Sequence, residues 1–173
     1  QLDASRFFIK FDYNISDDHR LTLRHNYNNL ENFNRNAGSD NRINFSNNGV
    51  YFPSVTNSSA VELNSTFGNR ASNNLIIGYT RVKDNRDPLG DRFPNVNIND
   101  GGRNSIRFGS EAFSTGNLLE QSTFSLTDNF KLYRGKHTYT IGTHNEFYNI
   151  RNVFLPWNFG QYEYSSLDDF LTG

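Results

Sequence analysis

The chain has 173 residues and a net charge of −1, so it lacks the basic excess expected of a nucleic-acid partner. Length suits one domain, and the absence of cysteine removes any disulfide framework or thiolate metal site. Only 35% of the residues are hydrophobic, yet sixteen Phe and nine Tyr recur at regular spacing, which excludes an ordinary disordered chain.

In chain order, the first predicted strand covers about 5–15, with Phe7, Ile9, Phe11, Tyr13 and Ile15 on one face. Phe8, Lys10, Asp12 and Asn14 occupy the other. A polar turn over 16–19 leads to a second strand at 20–29, where Leu21, Leu23 and Tyr27 oppose Thr22, Arg24 and Asn26. A long connection, 30–57, is rich in Asn and Ser and contains Pro53. The third strand, 58–68, sets Val61, Leu63 and Phe67 against Glu62, Asn64 and Thr66. After a turn around 69–72, the fourth, 73–83, sets Leu75, Ile77 and Tyr79 against Asn74, Gly78 and Thr80; Ile76 and Val82 blur the pattern. A second long connection, 84–118, holds Pro88, Pro94 and the pair Gly101-Gly102. The fifth strand, 119–132, carries Phe124, Leu126, Phe130 and Leu132 on one face. Following a turn at 133–136, the sixth, 137–150, carries Tyr139, Ile141 and Phe147. Residues 151–173 form a third long connection, in which Ser166-Leu167-Asp168-Asp169 has the spacing of a helix start.

Strand side chains alternate between faces with period two, so each segment has one greasy and one wet face. Short turns alternating with long loops add the rhythm of a membrane β-barrel, with turns periplasmic and loops extracellular. The fold expected is all-β: an antiparallel up-and-down meander of about six strands, part of a large transmembrane barrel in the bacterial outer membrane. No apolar run approaches the roughly 18 residues of a membrane helix, while each strand reaches the roughly 9–11 residues that a tilted spanning strand needs. Phe7, Ile9, Phe11, Leu21, Leu23, Val61, Leu63, Leu75, Ile77, Phe124, Leu126, Tyr139 and Ile141 are therefore the expected lipid-facing residues. Tyr13, Tyr27, Tyr79, Phe130 and Tyr133 are placed at strand ends as interface girdles. Two polar residues fall on the greasy face: His25, and Asp128 near a turn. Six strands do not close a barrel, and open edges in hydrocarbon leave backbone groups unsatisfied. Further strands are accordingly expected to come from beyond these residues.

The runs Phe124–Gly142 and Asn73–Pro88 resemble the hairpins of TonB-dependent outer membrane receptors. The stretch Phe154–Leu171 resembles their Oar-like, carboxypeptidase-regulatory-like subgroup. That resemblance implies a barrel of roughly 22 strands with a plugged lumen. It also implies active import of a bulky nutrient ligand on energy passed by TonB. Implied partners are outer membrane lipid, the remaining strands, an N-terminal plug domain, TonB and an unidentified ligand.

Candidate chemistry is sparse. Asn95-Val96-Asn97-Ile98-Asn99-Asp100-Gly101 is similar to a calcium loop, but Asp100 and Ile106 stand where an EF-hand needs Gly and Glu. Asp84, Asp87, Asp91 and Asp100 are the acids that a looser oxygen site would use. The four histidines, 19, 25, 137 and 144, lack metal-site spacing. No nucleophilic triad or phosphate loop is present, so no catalytic, cofactor-binding or metal-binding residue is assigned, and no enzyme activity is expected. Trp157, Phe159, Tyr162 and Tyr164 are the candidate ligand-contact residues, as aromatics in an outward loop. Two other readings stand beside import: an adhesive or structural outer membrane barrel binding through its loops, and a soluble secreted carbohydrate-binding β-sandwich. In a sandwich, Phe11, Leu23, Leu63, Ile77, Leu126 and Ile141 would meet in a dry centre between two layers.

Overall fold

In the computed structural model, which describes residues 1–173, the elements run in chain order from β1 (Leu2–Asn14) and β2 (His19–Asn34) to β3 (Arg42–Asn44). A 3-10 turn (Ser46–Asn48), β4 (Val50–Phe67), β5 (Ala71–Asn85) and β6 (Asp87–Pro88) follow. Then come β7 (Asn95–Asn99), β8 (Ser105–Phe108), β9 (Leu118–Arg134), β10 (His137–Val153), β11 (Gln161–Tyr164) and helix α1 (Leu167–Thr172). The six long strands form an antiparallel meander in the order β1-β2-β4-β5-β9-β10, with β6 attached to β4. Within the chain, β1 and β10 are the two edges.

Register puts the alternating apolar residues on one continuous face. Phe11 pairs with Leu23, Leu23 with Val61, Val61 with Ile77, and Ile77 with Leu126; Phe130 then pairs with Ile141. A one-residue slip anywhere would flip a strand's greasy set to the wet side, so this agreement across every ladder ties periodicity to register. No second layer covers the face: Phe11 is 57% exposed and Ile141 74%. The soluble sandwich reading is thereby overturned, because the residues that would fill its centre lie side by side on one open surface.

Several strands run past the expected ends. β4 begins at Val50 rather than near 58, β2 continues to Asn34, and β10 continues to Val153. In these extensions apolar residues fall on both faces, as in Val50-Tyr51-Phe52, or are broken by Pro53, so alternation stops while the backbone ladder goes on; hydropathy cannot mark such an end. Pro53 fits in β4 because it pairs with Glu31 of β2 but lies one residue beyond the last β5 pair, Ser54↔Asp84. Proline is tolerated where no ladder partner needs its missing N–H.

The long connections are not open loops. β3 from the first, β7 and β8 from the second, and β11 from the third assemble into a second sheet in the order β11-β7-β8-β3. Its outer pairings are parallel and its central one antiparallel. Val96 and Ile98, both buried, lie at the centre of this cap; Ser110 and Thr115 are buried beside it. Helix α1 starts where Ser166 accepts a hydrogen bond from the Asp169 backbone N–H at 3.0 Å, the cap that the Ser-x-x-Asp spacing foretold. Phe170 of α1 packs edge-on against Phe108 and Tyr164, closing the apolar side of the cap sheet.

Candidate functional site: a two-faced wall and its folded cap

The apolar face of the wall is bounded by aromatics. Phe7 and Tyr27 are paired at one level, and Tyr79, Phe124 and Phe147 form a row toward the cap, the last two with ring centroids 6.1 Å apart. Toward the turns stand Tyr13, stacked on Phe11 at 6.5 Å, and Phe67, Ala71, Leu132 and Tyr139, paired in sequence across four strands. Tyr133 does not join them. Its odd position in β9 places it on the polar face, where its hydroxyl lies 3.0 Å from Ser72 Oγ.

Polar residues on the apolar face find partners across the strands. A His25 ring nitrogen lies 2.9 Å from Ser59 Oγ, and His19 meets Ser65 Oγ at the same distance. Asn73 Nδ2 donates to Asp128 Oδ1 at 2.8 Å. Each pair joins neighbouring strands, so these polar groups find partners sideways within the sheet surface, although Asn73 Oδ1 is left buried without a donor.

The opposite face is charged and cross-linked. Asp12 pairs with Lys10 at 2.9 Å and Arg20 at 3.2 Å, and accepts from Thr22 Oγ1 at 2.6 Å. Glu62 faces Arg24 at 3.1 Å and accepts from Asn64 and Asn74. Near the turns a groove of about 840 Å³ is lined by polar side chains alone, including Arg20, Asn74, Asn129 and Lys131. Farther along, His144 lies between Thr127 Oγ1, at 2.6 Å, and Glu146, at 3.6 Å. Fixed hydrogen-bonding groups of both signs make this a surface for water and polar solutes.

Within the cap, a cavity of about 260 Å³ opens beside the sheet. Register sets Gln161 beside Asn95, and Glu163 beside Asn97, which in turn neighbours Arg107. Phe113 and Trp157 stand at the same cavity, with ring centroids 5.4 Å apart. The four candidate ligand-contact aromatics are not brought together. Trp157 lines the cavity, whereas Phe159 lies beneath the Arg92 guanidinium at 5.8 Å. Tyr162 and Tyr164 alternate with Gln161 and Glu163, so they belong to the other face of the cap sheet, where Tyr164 meets Phe170.

The polar cavity residues escaped the sequence reading. Their signal was the alternation Asn95-Val96-Asn97-Ile98-Asn99 and Gln161-Tyr162-Glu163-Tyr164, too short to separate from loop composition. The acids considered for a cation are dispersed. Asp87 faces Arg92 at 3.8 Å, Asp100 accepts from the Leu167 backbone N–H, and nowhere do three His, Asp or Glu residues gather as ligands.

Neither curated proteins nor solved structures yield a match to the chain. One family does match, described as outer membrane beta barrel domain, over residues 1–173. A two-faced antiparallel meander, aromatic at both margins of its apolar belt and matched to that family along its whole length, belongs to the outer membrane beta barrel domain family and to the bacterial outer membrane.

Proposed function

We propose that the chain is a barrel segment of a TonB-dependent receptor that actively imports a bulky ligand, with the apolar belt against lipid and the charged face lining the lumen. The observation that carries this reading is the cap. Connections of an ordinary structural barrel need no fold of their own, whereas here three of them pair into one sheet with a polar cavity beside it. Binding residues are disproportionately carried on loops that a rigid scaffold positions. The Lys10–Asp12–Arg20 and Arg24–Glu62 groups supply hydrogen-bonding anchors on the wet wall, suited to a plug domain packed inside. With β1 and β10 unpaired, the wall reads as one arc of a wider barrel, since edges left open in hydrocarbon cost several kcal/mol per group. Outer membrane barrels are generally non-enzymatic, and import rests on binding and gating alone.

The test is capture of the whole outer membrane protein, in detergent, by the purified periplasmic domain of TonB. Retention on that domain is the expected outcome. Failure to bind, together with cell attachment that is lost on gene deletion but indifferent to TonB, would replace import with the adhesive reading.

A further inference from the structure

The cap cavity has features that burial does not explain. Trp157 is the single non-glycine residue in the left-handed region, with φ 54°. Its N–H donates to the Ala112 carbonyl at 2.6 Å and its carbonyl accepts from the Gly160 N–H at 2.8 Å, so the strained backbone is held from both sides. The indole so presented remains 48% exposed against Phe113. Strain maintained around an exposed ring marks a functional position more readily than a packing one.

The polar residues that line the same cavity are oriented and incompletely used. Asn95 Nδ2 donates to the Ser110 carbonyl at 3.0 Å, leaving its Oδ1 without a donor. Arg107 Nε donates to Asn97 Oδ1 at 2.9 Å, and neither Glu111 nor Glu163 forms an ion pair with its guanidinium. Glu163 takes a single long contact, 3.4 Å, from Asn97. Donors and acceptors are thus interleaved, and one cation stands among two carboxylates, which disfavours an anion. With no three acids or histidines converging, a metal ion is disfavoured too.

We infer that this cavity, lined by Trp157 and Phe113 together with Asn95, Arg107, Gln161 and Glu163, binds a neutral saccharide. Hydroxyls that both donate and accept match planar amide, carboxylate and guanidinium groups, and the C–H face of a sugar ring lies against an indole. The volume falls just below the roughly 300–1,000 Å³ of clefts for drug-sized ligands, so it admits one or two rings of a longer chain. This names the ligand class for the receptor reading above and rests on the cap being outward.

The whole outer membrane protein is titrated with neutral linear glucans, mannans and xylans, followed by calorimetry. The same sugars borne on lipopolysaccharide and a panel of unstructured peptides form parallel arms; the first two arms separate a free from a surface-borne glycan. At least one neutral sugar is expected to bind saturably. Trp157→Ala and Arg107→Ala should each weaken it at least tenfold, and Trp157→Phe should retain most of it. Trp157→Gly relieves the backbone, so it should keep the melting temperature yet bind as poorly as Trp157→Ala, which separates binding from folding. Leu171→Ala, on exposed α1, should change nothing. Absence of binding by every neutral sugar, binding that survives Trp157→Ala and Arg107→Ala, or preference for peptides overturns the inference. Saccharide binding without TonB capture would leave it standing and remove active import; capture without saccharide binding would do the reverse.

Discussion

At Asp128 a carboxyl sits on a greasy surface because the amide of Asn73, on the neighbouring strand, reaches it at 2.8 Å. The arrangement is lopsided, since Asn73 Oδ1 is itself buried without a donor. Removing the acceptor strands the amide as well, and a buried unsatisfied group costs about 1–3 kcal/mol. Asp128→Ala is therefore expected to lower unfolding stability in lipid vesicles by about that amount, read from denaturant titration. The double variant Asp128→Leu with Asn73→Leu should recover most of the loss, because replacing both partners by apolar groups is close to neutral. His25 shows what was legible at this scale. Its place on the apolar face followed from parity alone, but its partner, Ser59, is 34 residues away and no local pattern could name it.

Among elements, the wall strands and the cap strands obey different constraints. Long strands sandwiched between an apolar and an aqueous medium must alternate, and the alternation over Phe7–Tyr13 or Phe124–Leu132 is unmistakable. Cap strands of three to five residues bury only fragments of a face, so β7 was legible as a calcium-like loop and not as a strand. Ile98, 2% exposed, is the centre of that small sheet. Truncating a buried isoleucine to alanine costs about 2–5 kcal/mol. Ile98→Ala should therefore open the cap locally. Hydrogen exchange and protease cleavage should rise over 95–108 and 161–164 while the wall strands stay protected. Equal loosening of wall and cap would show that the two do not fold as separable units. The short helix α1 is the counter-case: its start was readable because capping is a local, four-residue interaction.

For the molecule as a whole, the decisive fact is that only 14 of 173 residues are buried, so the fold has almost no internal core of its own. Its largest apolar surface is turned outward, and a bilayer is the medium that makes such a surface favourable. Ile77, inside the belt between Val61 and Leu126, tests this. A charged residue on a lipid face near the midplane costs about 2–4 kcal/mol. Ile77→Arg should lose that much on refolding of the whole barrel into vesicles, and Thr123→Lys, on the polar face, should fall within about 0.5 kcal/mol of the native protein. Equal costs would mean that the two faces meet the same medium.

The amino-acid order by itself determined the six-stranded meander, the face of the sheet each strand side chain takes and the outer membrane as the protein's location. All three follow from a period of two, which is a property of neighbouring residues. Only the tertiary structure decided that strands outrun the belt and that three connections pair into one sheet beside the Trp157 cavity. Those outcomes depend on pairings between distant segments, such as Arg42 with Ser105 and Gln161 with Asn95, where backbone hydrogen bonds choose partners that hydropathy does not encode.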